Sequence, residues 1–255
     1  MDLSLVIPCF NEGHRIAASL DRVLGFVDGL ASRAPSPSAE IVVVDDGSTD
    51  DTAARVDEVA ARRPIVRRIS LPKNAGKGAA VREGVLGSRG DLIVFLDADL
   101  AVDVEHVEQV LPALRNGVDV AVGCRHVDGA KVEKPQGVLR RTLGRSYLAF
   151  ARTLLGIPVS DVTCGFKGFR RAVAMRLFEG ARCRRWGFDA EILHLARREN
   201  YEVLEVPVTW RDGEGSRVRL PFDVVRSLTE LLAVRWRSTT GAYGPAQPKG
   251  SRGPR

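Results

Sequence analysis

Cysteine is scarce and scattered in this 255-residue sequence: Cys9, Cys124, Cys164 and Cys183 stand far apart, with no Cys-x-x-Cys pair and no histidine cluster beside them. That spacing signals neither a zinc site nor a disulfide framework, and it favours reduced thiols in a cytosolic chain. Long apolar runs are missing as well. No segment approaches the about 18 uninterrupted apolar residues that a spanning helix needs. The sequence enters directly on LSLVIPCFN, without a basic leader or a small-residue cleavage site, so no secretion signal is expected. No internal repeat is visible, and no Gly-x-Gly-x-x-Gly follows the first apolar run, which disfavours a dinucleotide fold.

Acid is lacking at one place only. The chain carries 38 Lys and Arg against 32 Asp and Glu, for a net charge of +6 and a pI near 9.4. Residues 237–255 contain Arg237, Lys249, Arg252 and Arg255 and no acid. With those four taken from the 38 bases, the remainder nearly balances the 32 acids. A broad basic face for a duplex is therefore not expected, and nucleic acid is not an expected partner, although a local basic pocket remains open. The composition, 44% hydrophobic and 27% charged, is that of a globular chain with one substantial core. One domain is expected over residues 1–236, followed by a disordered basic tail at 237–255.

What is present is an alternation of two periods. LSLVIP (3–8) is a short aliphatic run, and Ile16, Leu20, Val23, Leu24, Val27 and Leu30 then recur at helical spacing. IVVVDD (41–46) is a continuous β-branched run of the kind that parallel sheets bury on both faces. A helix near 50–62, a strand near 65–71, a helix near 77–88, the strand DLIVFLDAD (91–99), a helix near 103–115 and the strand DVAVG (119–123) continue the order. Then come a basic loop, a long helix near 138–155, the segment DVTCGFKGF (161–169), a helix opening near Gly187, the strand EVLEVPVTW (202–210) and a last helix near 221–236. The pattern predicts an α/β fold, an open and mostly parallel sheet with helices on both faces. Ligands of such sheets bind beyond the carboxyl ends of the strands.

Two strands end in acids at that edge. Asp45 and Asp46 lead into Gly47, Ser48 and Thr49, where Ser48, Thr49 or Asp50 serves as an N-cap for the next helix or the acids accept hydrogen bonds from a base or ribose. Asp97 and Asp99 carry the stronger signal. Residues two apart on an extended segment point the same way, so two carboxylates converge and repel unless a cation joins them. A hard divalent ion fits, since Mg2+ takes one or two carboxylates together with substrate phosphates.

VIPCFNE (6–12), VVDDGSTD (43–50), NAGKGAAVREG (74–84) and DAD (97–99), in that order, resemble the family 2 inverting glycosyltransferases of GT-A fold. GCR (123–125), DVTCGFKGFRR (161–171), RWGFDAE (185–191) and VPVTWRDGEGSRV (206–218) resemble its dolichyl-phosphate β-glucosyltransferase branch, beside the polyprenyl-phosphate mannose synthases. Such membership implies inverting transfer of a hexose, with UDP-glucose the favoured donor, to a polyprenyl or dolichyl phosphate, with Mg2+ or Mn2+ as cofactor. It implies that Pro8, Asn11, Glu12 and Asp45 hold the nucleoside with Asp46 close by, that Lys77 lies along the donor, and that Asp97 and Asp99 face the metal and diphosphate. The glycines of NAGKG also serve simply to shape a turn before a helix. Ala101 and Val102 depart from the polar residue and proline that the mannose synthases place shortly after DAD. The same fold acting on a soluble hydroxyl acceptor, or a non-catalytic nucleotide-sugar binding module, are the alternatives.

Arg125, Arg140, Arg141 and Arg145 are solvated surface charges taken singly; together they suit an acceptor that is itself a phosphate, with Arg125, Arg141 and Arg145 as its expected partners. Asp189 and Glu191 stand where relatives with hydroxyl acceptors keep a catalytic base, and Asp189 serves equally as a helix cap or as an acceptor for Arg185 or Trp186. Finally, Leu220, Phe222, Val225, Leu228, Leu231 and Leu232 alternate with Arg226, Arg235 and Arg237, a pattern shared by a packed helix and by one lying at a membrane surface. The expected location is cytoplasmic, with peripheral contact on the membrane.

Overall fold

The apolar runs become strands at the expected places: β1 (Leu3–Cys9), β2 (Ala39–Asp45), β3 (Val66–Ser70), β4 (Leu92–Leu96) and β5 (Val120–Cys124). The helical periods become α1 (Ile16–Ala31), α2 (Thr52–Arg62), α3 (Lys77–Leu86) and α4 (Val107–Arg115), each between two strands. The second half adds β6 (Lys131–Val132), α5 (Val138–Leu155), β7 (Phe166–Arg170), α6 (Arg171–Gly180), α7 (Phe188–Arg198), β8 (Val203–Pro207), β9 (Thr209–Trp210) and α8 (Phe222–Thr239). This computed structural model describes residues 1–32, 37–133, 138–211 and 222–246, and the side chains of 138–141 and 222–224 also lie outside the described residues.

The main sheet has seven strands in the order β3-β2-β1-β4-β7-β5-β8, and β6 pairs with β9 in a small second sheet. Alternate strand residues enter two different cores. Leu5, Ile7, Ile41, Val43 and Val94 face α1, α2 and α4, whereas Val6, Val42, Val44, Ile93 and Phe95 face α3, α5, α6, α7 and α8. Burying a Val, Leu or Ile contributes about 1.5–3 kcal/mol, so slipping one strand by one residue would exchange both faces and lose many such terms. Both faces are covered, which is why these strands read as unbroken aliphatic runs.

Register brings the acids together. Cys9 lies opposite Asp45, so β1 and β2 end side by side, and β1 also pairs with β4. The departure from a purely parallel sheet is β7, which runs antiparallel to both β4 and β5. Its first residue, Phe166, lies opposite Leu96, so the segment entering β7 meets the acids leaving β4. The sequence reading left 161–169 without an element and did not include α6, because GFKGF is short, glycine-rich and interrupted by a lysine.

At the C-terminus, α8 continues past residue 236 to Thr239, and Ser238 and Tyr243 make side-chain contacts with α7. The expected domain boundary at 236 therefore falls inside a packed helix; residues 247–255 of the expected tail lie outside the described residues.

Candidate active site

The loop after β1 and the turn after β2 are laced into one unit. The Asn11 amide donates to Ser48 Oγ at 2.8 Å, the Thr49 amide donates to Asn11 Oδ1 at 2.7 Å, and the Glu12 amide donates to Thr52 Oγ1 at 2.8 Å. Asn11 adopts φ +52°, a left-handed conformation that asparagine tolerates better than most residues. Ser48 and Thr49 thus serve the neighbouring loop. Asp50 accepts the Thr52 amide at 3.0 Å just before α2, whose N-cap position is Asp51, without a side-chain cap bond. Pro8, Asn11, Glu12 and Asp45 are brought to one strand edge, and Asp45 accepts the Ser48 amide at 3.0 Å.

Asp46 organises the loop that delivers Lys77. It accepts from Asn74 Nδ2 at 3.0 Å and from the amides of Ala75 and Gly76 at 2.7 and 2.9 Å. Burial raises its carboxyl above the ordinary range, working against those donors. Gly76 sits at φ +107°, and a Cβ there would stand 2.5 Å from the Arg184 carbonyl oxygen. The turn-shaping use of NAGKG is realised, since Gly76 is the N-cap of α3, which begins at Lys77.

Lys77 Nζ lies 2.6 Å from Asp97 Oδ1, and 5.5 and 5.9 Å from the ring centroids of Trp186 and Phe188. Burial opposes its charge, but Asp97 and Asp189 outweigh that and hold the ammonium above its usual range. Asp97 is fixed at its backbone by Gly165, whose carbonyl accepts its amide at 3.2 Å. A Cβ at Gly165 would stand 2.0 Å from Asp97 Oδ2, so only glycine leaves room for this carboxylate. Beyond it, Ser19 of α1 donates to the Ala98 carbonyl at 2.6 Å, and Asp99 Oδ1 accepts the Ala101 amide at 3.0 Å. Leu100 takes φ +48°, an unusual conformation for leucine that turns the chain between Asp99 and Ala101. Ala101 and Val102 have a structural use: the Ala101 carbonyl accepts the Arg211 amide at 2.8 Å, and Val102 bridges Trp210.

Asp189 neither caps α7 nor accepts from Arg185 or Trp186. It forms an ion pair with Lys167 Nζ, and Lys167, fully buried on β7, also donates to the Cys164 carbonyl at 2.7 Å. Burial raises the Asp189 carboxyl, against the attraction of Lys167 and Lys77. Glu191 is fully buried too, accepting the Arg182 and Cys183 amides at 2.8 and 2.6 Å and the Tyr243 hydroxyl. Lys167 and Gly165 escaped sequence reasoning. The available signal was a lysine in the middle of the apolar run GFKGF, where only a buried partner permits a charge.

Of the expected arginine cluster, Arg125 has a partner within the chain. That guanidinium grips Asp161, with Nε to Oδ2 at 2.6 Å and Nη2 to Oδ1 at 2.9 Å, donates to Thr163 Oγ1 at 3.0 Å and lies 5.5 Å from the Trp210 ring centroid. Burial opposes its charge, yet Asp161 raises it further. Arg145 is exposed on α5, and the side chains of Arg140 and Arg141 lie outside the described residues. Burial, then the charge of Asp189, pushes up the hydroxyl of Tyr147, two residues beyond Arg145.

The acid pair suits a divalent ion. Asp99 reaches solvent but is hemmed in by protein, and that loss of water, then the charge of Asp97, raises its carboxyl against Lys77 and Arg15. A second cation at this tip relieves the repulsion. Among the described residues no cluster of three or more His, Cys, Asp or Glu is arranged as a complete metal shell. Asp97 and Asp99 would supply part of the coordination of such an ion, with the remainder left to phosphate oxygens and water, the habit of Mg2+ in nucleotide sites.

Open α/β sheets bind their ligands beyond the carboxyl ends of the strands, the edge at which these acids and Lys77 gather. Residues 4–178 match glycosyl transferase family 2, and the chain belongs to that family. A dolichyl-phosphate beta-glucosyltransferase of Trichomonas vaginalis is 38% identical over 91% of this chain and 72% of its own length. The dolichyl-phosphate beta-glucosyltransferase of Homo sapiens is 36% identical over 94% of this chain and 77% of its own. Among solved structures, glucosyl-3-phosphoglycerate synthase from Mycobacterium tuberculosis, in complex with Mn2+, UDP-glucose and phosphoglyceric acid, superposes with a TM-score of 0.65 at 21% identity. That match covers 98% of this chain and 81% of the synthase, and the shared fold is GT-A.

Proposed function

We propose that this family 2 glycosyltransferase moves glucose from UDP-glucose to a polyprenyl phosphate with inversion, using Mg2+ or Mn2+. The observation that carries the acceptor class is the state of Asp189 and Glu191. Asp189 is paired with a buried ammonium, and Glu191 is engaged by two backbone amides, the Tyr243 hydroxyl and, at 3.6 Å, Arg237. Neither is poised to deprotonate a hydroxyl. A lipid phosphate is already anionic at neutral pH, so its oxygen attacks the anomeric carbon as the bond to the leaving diphosphate breaks, and no proton need be removed. The relatives of 36–38% identity carry the same acceptor in their names. Asp97 and Asp99 would hold the divalent cation, which would supply charge neutralisation for the departing diphosphate. In this reading Asp45, Asn11, Pro8 and Glu12 shape the nucleoside end, Asp46 holds the loop that presents Lys77, Arg141 and Arg145 of α5 meet the acceptor phosphate, and Arg125 with Asp161 braces the wall behind it.

Radiolabelled UDP-glucose offered with a short-chain polyprenyl phosphate is expected to move label into the organic phase, and the same polyprenol without phosphate is expected to accept nothing. Equal transfer to the free alcohol, or label confined to aqueous products, sends the assignment to the hydroxyl-acceptor reading.

The way to a lipid is written on two helices. Among the described residues no helix is long and apolar enough to cross a membrane. On α8, Leu231 and Val234 are buried, while Val225, Leu232 and Trp236 are 59%, 53% and 65% exposed; on α5, which packs against α8, Leu143 and Phe150 are also exposed. Spacings of 7 and 11 along α8 and 7 along α5 set these residues in stripes, with Arg226, Arg235 and Arg145 exposed on the same helices. The packing reading thus holds for one face, and we propose peripheral contact with a membrane through the exposed one. Leu220 and the side chain of Phe222 lie outside the described residues. Co-sedimentation with anionic vesicles is expected to be salt-sensitive and to weaken when residues 247–255, with Lys249, Arg252 and Arg255, are removed, each base contributing about 1 kcal/mol at an anionic surface. Absence of binding at low salt overturns it. A cut at 238 is the wrong test, because it severs the 2.9 Å contact of Ser238 with His194 and the Tyr243 contact with Glu191.

A further inference from the structure

Asp97 already has a cation. Lys77 Nζ stands 2.6 Å from its Oδ1, and only 16% of the lysine side chain is exposed. Behind Lys77 lies a second ion pair, Lys167 with Asp189, and the two ammonium groups flank one aromatic pair. Lys77 is 5.9 Å from the Phe188 centroid, Lys167 is 5.4 Å from the Phe95 centroid, and the two rings are 5.8 Å apart. Charges therefore alternate Lys167, Asp189, Lys77, Asp97, with Asp99 at the outer end, and both Asp97 and Asp189 act on Lys77. Asp189 has a fully buried partner of its own, whereas the ion pair of Asp97 among the described residues is with Lys77.

An ammonium on Asp97 Oδ1 weakens the hold of that carboxylate on a divalent ion, because the two cations repel and the lysine already neutralises the charge the ion would use, while Oδ2 is packed toward Gly165. Resting on the metal reading of Asp97 and Asp99 above, we infer that Lys77 is a resident counter-ion that a divalent cation displaces from Asp97 only when a nucleoside diphosphate arrives to receive it. Without the diphosphate, an ejected Lys77 falls back on Asp189, whose charge Lys167 already neutralises in large part. With it, the phosphate oxygens accept Lys77 and the cation together. The lysine thereby couples the two ligands, so that each raises the affinity for the other by the same factor. Lys167 supports this as a positioning residue, keeping Asp189 from becoming the stronger resting place.

The test is Mn2+ binding, followed by the electron paramagnetic resonance of the free ion, to the full chain with and without UDP. Lys77→Met is expected to bind Mn2+ without nucleotide at least about 10-fold more tightly than the wild type, and to lose the same factor from the UDP-dependent enhancement. Lys77→Gln repeats the measurement in a polar form should the methionine variant fold poorly, and Lys77→Arg, which keeps a cation, is expected to show no gain. The gain should vanish when Asp97→Asn is added. UDP-dependent Mn2+ binding to the wild type, with no gain in the two neutral variants, overturns the inference and leaves the metal reading standing. A gain that survives Asp97→Asn also overturns it, because the ion then sits elsewhere. Mn2+ that binds no form of the protein even with UDP removes the metal reading and this inference together.

Discussion

Asp99→Asn is expected to lower glycosyl transfer by about 10^3-fold at saturating donor, in line with the several kcal/mol that a metal-held charge contributes to a departing diphosphate. The substitution removes the carboxylate that projects furthest from β4 but keeps the side-chain oxygen that can accept the Ala101 amide. Its effect on folding has the opposite sign. The Asp99 carboxyl is held above its ordinary range by loss of water and by Asp97, so its ionised form is a liability to the folded state above the unfolded carboxyl range, and a neutral amide relieves it. Unchanged or raised thermal stability with lost transfer is therefore the expected pair of results. Asp97→Asn should be less severe in transfer, but it should lower stability by stranding the Lys77 ammonium that pairs with Asp97 in the ligand-free chain. Full transfer by Asp99→Asn in saturating EDTA would remove the metal from the account.

Gly165→Ala tests the same carboxylate from behind. The added methyl would stand 2.0 Å from Oδ2 and 2.5 Å from Cγ of Asp97, and the neighbour it meets is short, with its backbone amide held by the Gly165 carbonyl. Asp97 must swing or the strand end must shift. A displacement of about 1 Å at reacting groups costs about 100-fold in rate, and overpacking costs about 1–3 kcal/mol of stability. The expected result is therefore a loss of about 100-fold in kcat/KM for the donor, with an altered metal optimum. Gly144→Ala on α5 is the internal control, since nothing lies within 4 Å of a Cβ there. Alanine in that helix is expected to leave transfer unchanged and to stabilise by about 0.5–1 kcal/mol. Similar kinetics for the two variants would mean that Asp97 does not need its present position.

The strand edge and its acids were legible because both are local properties. IVVVDD and VFLDAD announce a doubly buried strand and its carboxyl end within a handful of residues, and β2 and β4 lie where those runs do. The roles of Ser48, Thr49 and Asp50 were open at that level, since all three have the chemistry of a cap, and the choice was made by Asn11 from another loop. Arg125 illustrates the opposite case. Its charge suggested a phosphate, but its guanidinium was matched by Asp161, 36 residues away, in a bidentate pair that no spacing rule reveals.

The sequence by itself determined the alternating α/β frame, the edge at which sheets of this kind bind ligands and the acids placed there, because the two periods and the strand ends are written in consecutive residues. Only the tertiary structure decided which cation each acid receives. Lys77 and Lys167 are alike as residues, yet one faces Asp97 at the site and the other is sealed against Asp189, 22 positions along the chain. The antiparallel insertion of β7 made that division by laying Gly165 beside Asp97 and carrying Lys167 into the core. Tyr243, from a stretch whose composition suggested a loose tail, meets Glu191 across 52 residues for the same kind of reason. A buried charge must find a partner wherever the chain brings one, and that is set by packing rather than by neighbours in sequence.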